Sequence, residues 1–454
     1  PHRWGWEWRS QWQEPSAPVG PNALTESYPV QCPTWVVVLR DSGPGATLPE
    51  IAAPSGDRPE QFAGAWEGYG SKSFLNYGRL PGDRFMINWP QNGNDCGEGL
   101  HRLVASPTAR QEFEQEARWH AQSFARFIQQ RLGRRYGLTE DTFPQVTNSM
   151  GGGAFALHPY YRESRRLVGL TTLCEQGILP QGQVAPLPIN DWGEMEAIAL
   201  GNYPNDHHYP APASAALTLT PKSLRWGGRC TGTPFTIPYR SLVPAAVDGL
   251  LVCEKNISVS HIANGATRLQ PVVLGIGQAA GMAAALCIEQ NCQPRQLDVR
   301  SLQDALLTDA LAPAAVVPLF NLPPHHPDWL YWQRYYRGHA DAYPSSGWGP
   351  EVRPFPEAFS QFFDPSLSPK SPGLTELEGI FCRVAEQTYE LVVEAPEFLA
   401  QQTLSLVTLH GEGDRLLRHL PSPQRIRVWG WLNRSGNWLR VERLQPLCEL
   451  DTGL

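Results

Sequence analysis

Lysine is nearly absent from this chain of 454 residues: Lys72, Lys222, Lys255 and Lys370 are the only four, so 33 of the 37 basic residues are arginine. Such a skew favours planar, bidentate contacts to carboxylates or phosphates, although a GC-rich genome produces it as well. Charge of either sign is scarce, at 18% against roughly 25% in an average soluble domain. The formal net charge of −7 argues against a protein whose main business is coating nucleic acid or an anionic membrane. The nine cysteines are odd in number and include no CxxC, which excludes a disulfide framework and a zinc ribbon and reads as a reducing compartment. No G-x-S-x-G elbow, H-E-x-x-H or P-loop occurs, which removes the commonest hydrolase and nucleotide-hydrolysing signatures. Nor does a signal peptide precede the fold, so the expectation is a cytoplasmic protein. The longest uncharged run, Val272 to Ile288, is just long enough to raise the question of a membrane span. Its Gly, Ala and Gln278 read instead as a tightly packed core helix.

What is present is a loop-rich globular chain, with 41 Gly, 43 Pro and 16 Trp and a length that implies about two to four domains. The opening PHRWGWEW reads like the middle of a protein, and the expectation is a fragment whose N-terminal part is missing. The run from Gln31 to Leu39 is β-branched and aromatic and reads as a strand. FLNYGRLPGDRFMINWP reads as a hairpin turning at Pro81-Gly82-Asp83. Between Pro107 and Leu132 the apolar residues Phe113, Ala117, Ala121, Phe124, Ile128 and Leu132 recur at helical spacing, and Gly133 stops them. Gly151-Gly152-Gly153 is a loop where backbone must approach something closely. Leu250 to Cys253 reads as a short buried strand, HIANGATRLQP as a loop, and Pro271 as the first position of a long helix ending at Asn291. Residues 311–375 form a proline-broken, aromatic linker. Residues 376–450 return to about five short alternating strands, with Asn433 to Asn437 as the last hairpin turn, and suggest a small closed barrel of OB type.

Gly275-Ile276-Gly277-Gln278-Ala279-Ala280 matches the dinucleotide fingerprint by its letters. A working fingerprint follows directly on a strand, so that pyrophosphate meets a helix N-terminus. Here the preceding strand ends about twenty residues earlier, and the better reading is a helix whose small face, Gly277, Gln278 and Gly281, turns towards a sheet or a flat ligand. The helix start beside Arg268, Leu269 and Gln270 remains an anion site by its dipole and free N–H groups. Arg162, Glu163, Arg165 and Arg166 are open to two readings, a salt-bridge lattice pinning a strand or a ligand-facing set. His261 is likewise a structural histidine or a ligand neighbour. The adjacent pairs His207-His208 and His325-His326 lack a Cys or carboxylate at ligand spacing and do not read as a metal site.

Three ordered motifs carry a resemblance. IPYRSLVPAAVDGLLVCEKNISVSHIANGATRLQPVVLGIGQAAGMAAAL resembles the C-terminal FAD-binding segment of the FAD-dependent oxidoreductases with a glutathione-reductase-like fold. YRESRRLVGL is similar to that family's R-E-S-R-R-x-x-G signature, and Tyr203 to His208 to its Y-P-x-D-x-H element, which puts His208 on the family position. The likeness covers residues 160–310, with a compatible head at 1–160. Two departures stand out: the N-terminal G-x-G-x-x-G with its ribose acid is absent, and Cys253-Glu254-Lys255 replaces the usual A-G-R.

The resemblance implies an α/β and α+β protein. Residues 1–24 would connect the FAD domain, 25–235 form a strand-rich substrate domain, and 236–310 close a partial FAD/NAD(P)-binding domain. The linker 311–375 and the barrel 376–450 follow. It implies FAD as cofactor and hydride transfer from a small-molecule substrate. Glu254, His261, Arg268, Gln270, Pro271, Gly277 and Gln278 would lie at the cofactor, and Arg162, Arg165, Asp206 and His208 would orient substrate or move a proton. Neither a nucleic acid nor a membrane is an expected partner, and nothing in the sequence bears on oligomeric state. A chain without the fingerprint is expected to hold FAD weakly. The rival expectation is a non-catalytic scaffold whose barrel binds a ligand through Trp429, Trp431 and Trp438, an oligosaccharide or a nucleic-acid single strand.

Overall fold

A computed structural model describes residues 1–90, 92–182, 184–209, 233–322, 324, 326–350, 374–385, 388–408, 411–433 and 437–447. It divides into two compact units, one of residues 1–68 and 80–350, the other of residues 69–79 and 351–454.

In the first unit the strand β1 (His2–Arg3) pairs far along the chain with β5 (Arg166–Leu167). A second sheet places β2 (Val37–Asp41) between β3 (Arg84–Ile87) and β4 (Tyr136–Leu138), all antiparallel. The expected strand from Gln31 is shorter than its composition implies. Pro33 cannot donate to a ladder, and before Val37 only Thr34 makes isolated bridges, to Asp95 and Tyr160. Against this sheet lies α1, Pro107–Leu132. Ser106 Oγ accepts from the Ala109 amide at 3.1 Å, Pro107 occupies the first turn, and Gly133 ends the helix at φ 105°. Its buried Phe113, Ala117, Ala121, Phe124 and Ile128 form one apolar stripe, and Phe124 meets Phe62 at 4.9 Å between ring centroids.

The other half of this unit is a hairpin of β6 (Ala197–Tyr203) and β7 (Thr233–Pro238), covered by the helices α2 (His261–Thr267), α3 (Gln270–Glu289) and α4 (Val299–Thr308). Ile198, Ala199, Phe235, Ile237, Val272, Ile276, Ala279 and Ala283 share its core. Three expectations need correcting here. Residues 261–267 are not a loop: Ser260 Oγ caps them by accepting from the Ala263 amide at 3.0 Å, and all seven are buried. Leu250 to Cys253 is not a strand, because after the Gly249 turn (φ 68°) Leu250 is exposed and only the Val252 amide is tied back, to Leu242 O at 2.9 Å. The helix α3 does start where Pro271 implies, but only one face is packed. Gly275 lets it approach β6, where an added Cβ would sit 3.3 Å from Ala199. Gly281 faces open space and Leu274 is 73% exposed, so the small face does not turn towards the β6–β7 sheet. By length and composition α3 is also long and apolar enough to cross a bilayer.

Residues 311–350 carry more regular structure than their prolines imply. The helix α5 (Trp329–Gly338) is pinned by Gln333, whose Oε1 accepts from the Val316 and Val317 amides at 2.9 and 2.8 Å.

The second unit contains a closed barrel of five strands: β8 (Thr375–Ala385), β9 (Thr388–Ala395), β10 (Thr403–Val407), β11 (Gln424–Asn433) and β12 (Trp438–Pro446). Around the barrel the order is β8, β9, β10, β12, β11, and only the β10–β12 contact is parallel. A helix α6 (Gly411–His419) joins β10 to β11. Alternate residues point inward, among them Leu377, Phe381, Leu391, Leu404, Ile426, Val428, Leu439 and Val441. Residues 434–436 of the expected last turn and 351–373 of the expected linker lie outside the described residues. Gly379 is required by close approach, since a Cβ there would stand 2.1 Å from the Val392 carbonyl oxygen. Gly379→Ala is therefore expected to cost about 1–3 kcal/mol, seen as a lower melting temperature; an unchanged melt would show that β8 and β9 can separate freely.

Candidate functional site

The segment Gln31–Thr34, too irregular to be a strand, is what assembles the site. Its Cys32 amide donates to His208 O at 2.9 Å, and Thr34 exchanges backbone bonds with Tyr160 at 3.2 and 2.8 Å. Residues from five parts of the chain thereby meet in one polar row. At its buried end Arg162 donates to Cys32 O (2.5 Å), Thr34 Oγ1 (2.7 Å) and Asn88 Oδ1 (3.0 Å), and pairs with Asp95 at 3.2 Å. Asp95 also accepts from the Thr34 hydroxyl. His208 follows, with Nδ1 at 2.7 Å from Asp95 Oδ2 and Nε2 at 3.0 Å from Asp206 Oδ2. Arg268 closes the row: its Nη2 lies 3.3 Å from Asp206 Oδ2 and Nη1 donates to the Tyr160 hydroxyl at 3.3 Å. The Tyr160 ring has the Arg162 guanidinium at 5.2 Å and Lys255 Nζ at 5.1 Å from its centroid, within cation–π range.

Solvent access rises along the row, from side chains 1% and 4% exposed at Arg162 and Asp95 to 13% at His208 and 30% at Asp206. Burial works to raise both carboxyls, but the neighbours outweigh it. Arg162 and His208 hold Asp95 below the usual carboxylate range, and the His208 bond with the charges of His208 and Arg268 does the same for Asp206. A histidine with a carboxylate at each nitrogen donates both bonds only when both nitrogens carry protons. The row therefore ties one imidazole between an inner carboxylate, Asp95, and a more accessible one, Asp206.

A second buried network lies behind it. Arg166, fully buried, pairs with Glu7 at 2.9 Å and donates to Val259 O at 2.9 Å and to Gly5 O. Its Nε is 3.1 Å from Glu163 Oε1, close enough for an ion pair but out of line for a hydrogen bond. Glu163 also meets His261 Nδ1 at 2.8 Å, while His261 Nε2 bonds the Tyr209 hydroxyl and its ring packs at 3.9 Å on Trp6.

The family model for FAD dependent oxidoreductases matches residues 1–306. The chain belongs to that family. FAD is accordingly the cofactor of this flavoprotein, and its general activity is that of an oxidoreductase. No curated protein matches the chain.

The oxidoreductase's own residues fit one end of FAD and not the other. At the start of α3 the N-cap is Leu269, which offers no side-chain acceptor, so the first-turn N–H groups remain uncapped beside exposed Gln270 and Pro271. Next to them Arg268 keeps a buried Nε without a partner. A cation and a helix N-terminus together suit the electron-rich edge of a flavin ring. For the pyrophosphate, the described residues offer no strand–glycine-turn–helix cradle, because Gly275 to Ala280 lie wholly inside α3.

Of the sequence candidates, Arg162, Asp206, His208 and Arg268 come together. Arg165 does not: it is exposed, while residues 162, 163 and 166 of the same motif point inward. His261 is engaged by protein at both ring nitrogens and on the ring face that Trp6 covers, the structural one of its two readings. Gly277 lies beside Cys253, whose carbonyl oxygen would be 3.8 Å from an added Cβ, and Gln278 donates to Ala312 O at 2.6 Å. Glu254 is half-buried and pairs with Lys255 at 3.4 Å. Asp95 and Tyr160 escaped sequence reasoning. An acid in the Gly- and Asn-rich loop QNGNDCGEG gives no periodic signal; only the turn-forming residues around it mark a loop that needs special backbone.

Behind Arg166 lies one further charged group, Glu14, fully buried. It accepts from the Glu175 amide at 2.7 Å and from the Ser260 hydroxyl, and its Oε2 is unpartnered. Burial pushes its carboxyl up to about 7 from the ordinary 4.5. A carboxyl raised on folding stabilises the fold fully below its unfolded value and loses that contribution as pH rises through the folded one. Glu14→Gln should therefore shift the urea midpoint upward relative to wild type at about pH 8 and scarcely at about pH 5. Equal shifts at both would place the charge elsewhere.

Proposed function

We propose that this oxidoreductase takes a hydride equivalent from a small-molecule substrate, with His208 receiving the proton the substrate gives up. The observation that carries the reading is His208 suspended between Asp95 and Asp206, with Arg268 completing the row beside the uncapped start of α3. FAD, when bound, supplies the acceptor for the hydride equivalent. An alcohol or amine that loses a hydride must also lose the proton on its heteroatom. His208 is the base of the row that takes it, and Asp206, the more exposed carboxylate at its Nε2, holds the ring at the accessible side. Asp95, fixed by Arg162 and Thr34, keeps the imidazole oriented in the way a buried carboxylate orients a catalytic histidine. Arg268 and the N–H groups after Leu269 stabilise negative charge at the cofactor edge, and Gln270 and Pro271 line the same helix start.

The strand-rich part at 25–235 is read as the substrate side and 236–310 as the cofactor side of a glutathione-reductase-like arrangement. The barrel is read as OB-like, supported by its five-strand closure, the parallel pairing of β10 with β12, and α6 between β10 and β11. Its arginines favour no nucleic-acid partner: Arg425 and Arg440 are matched by Glu394 and Glu442 at 2.8 and 2.7 Å, and Arg427 pairs with Glu378. A cytoplasmic location is supported by seven described cysteines that are all free. The test is anaerobic: FAD-loaded protein that bleaches with a candidate alcohol or amine and recovers its colour in air supports the reading. A flavin that no such compound bleaches, though dithionite does, contradicts it.

A further inference from the structure

The first unit holds a cavity of about 890 Å³ between α1 and the loops at residues 55–62 and 92–99, a volume in the range of small-molecule sites. We propose that it binds an uncharged, polyhydroxylated ligand of the saccharide class. The assignment of that ligand as substrate rests on the proposed function above, whereas the binding itself does not.

Four carboxylates line the cavity, and each is already matched by an arginine. Glu98 pairs with Arg58 at 3.2 Å, Glu116 with Arg102 at 2.5 Å and Asp95 with Arg162 at 3.2 Å, while Asp57 meets Arg126 at 3.4 Å and shares it with Glu50 at 2.6 Å. His120, on the same wall, sits 2.9 Å from Gly93 O through Nε2, and burial lowers its pKa, so it adds no cation near neutral pH. A charged ligand must compete with an existing ion pair for its counter-charge, across pairs that are partly exposed and screened by solvent. A hydroxyl has no such conflict. Paired carboxylates keep free lone pairs and accept O–H donors, and the cavity offers four of them around its wall.

The second observation is Trp119. It projects from α1 into the lining and is half-buried, and its indole makes no hydrogen bond or ring contact with any described residue. Half-buried tryptophans normally pair their N–H or stack. A flat apolar face with a free donor, set among hydroxyl-accepting carboxylates, is complementary to a sugar ring, which has one C–H-rich face and a rim of hydroxyls. The third observation links the cavity to the row at one residue: Asp95 is both a lining residue and the inner anchor of His208, while His208, Asp206 and Arg268 lie outside the lining.

The experiment is isothermal titration of the 454-residue chain with glucose, cellobiose and maltose as neutral probes, glucuronate as the anionic probe and glucosamine as the cationic one. The proposal expects saturable binding of at least one neutral saccharide, with glucuronate and glucosamine each weaker than glucose by about ten-fold or more. Trp119→Ala should weaken the neutral saccharide by about ten-fold, and Trp119→Phe by less, with circular dichroism showing both variants folded. Preference for a charged probe, no saturable neutral binding, or unchanged affinity in folded Trp119→Ala overturns it. Because heat of binding is read without the flavin, such a failure leaves the redox reading standing. Conversely, a bound saccharide that never bleaches FAD-loaded protein removes its role as substrate and not the site.

Discussion

Replacing His208 by Ala is expected to slow substrate-dependent reduction of bound FAD by about 10²–10⁴-fold, the usual worth of a positioned general acid or base. The row explains why the loss should be kinetic rather than structural. Without the ring, Asp95 keeps Arg162 and the Thr34 hydroxyl, and Asp206 keeps Arg268 at 3.3 Å, so neither carboxylate is stranded. What disappears is the only group between them that can hold a proton. Anaerobic stopped-flow reduction, read beside flavin occupancy and dithionite reduction as a control, separates the effects. A variant that reduces within about three-fold of wild type at full occupancy would show that His208 is a strut.

The opposite pattern is expected one motif away. Arg166→Ala should destabilise the protein by about 3–5 kcal/mol, the cost of breaking a buried ion pair by removing one partner. Glu7 and Glu163 would be left buried with less compensation, and the carbonyls of Gly5 and Val259 would lose their donor. Those bonds also tie residues 1–14 to the start of α2, since Glu7 accepts from the His261 amide at 2.8 Å and Glu14 from the Ser260 hydroxyl. Arg165→Ala, next door, is exposed and should move stability by no more than about 0.5 kcal/mol. Chemical denaturation of the two variants is a direct contrast. Similar midpoints would mean that the Arg166 lattice contributes little beyond the hydrophobic packing around it.

The contrast between Arg165 and Arg166 also shows where sequence reasoning stops. Four charged residues in YRESRRLVGL are legible as a constellation, but in a segment with only two strand residues no period says which side chains turn inward. The helix Pro107–Leu132 was legible end to end because its signals are local: a proline at its start, an apolar residue every three or four positions and a terminal glycine. The helix His261–Thr267 was not, because Asn264 and Gly265 read as breakers. In the fold Gly265 is needed for close approach, and a Cβ there would stand 2.4 Å from Asn205 Oδ1. The exposed face of α3 was hidden for a related reason, since a run of Gly and Ala has no polar side to mark solvent. His208, Asp206 and Arg268 could be named because they stand in or beside motifs. Asp95 could not, since its partnership with His208 spans 113 residues and exists only once Cys32 and Thr34 have bound the backbones on either side.

In the proposed reading Arg268 and the start of α3 face the flavin and stabilise its reduced, negatively charged edge. The midpoint potential of bound FAD, measured against a reference dye in wild type, Arg268→Ala and Arg268→Lys at equal flavin occupancy, tests it most directly. The account predicts a lower potential in Arg268→Ala, because the reduced form loses more stabilisation than the oxidised one, and a return towards the wild-type value in Arg268→Lys. An unchanged potential in fully loaded Arg268→Ala would contradict it and leave Arg268 as a partner of Asp206 alone.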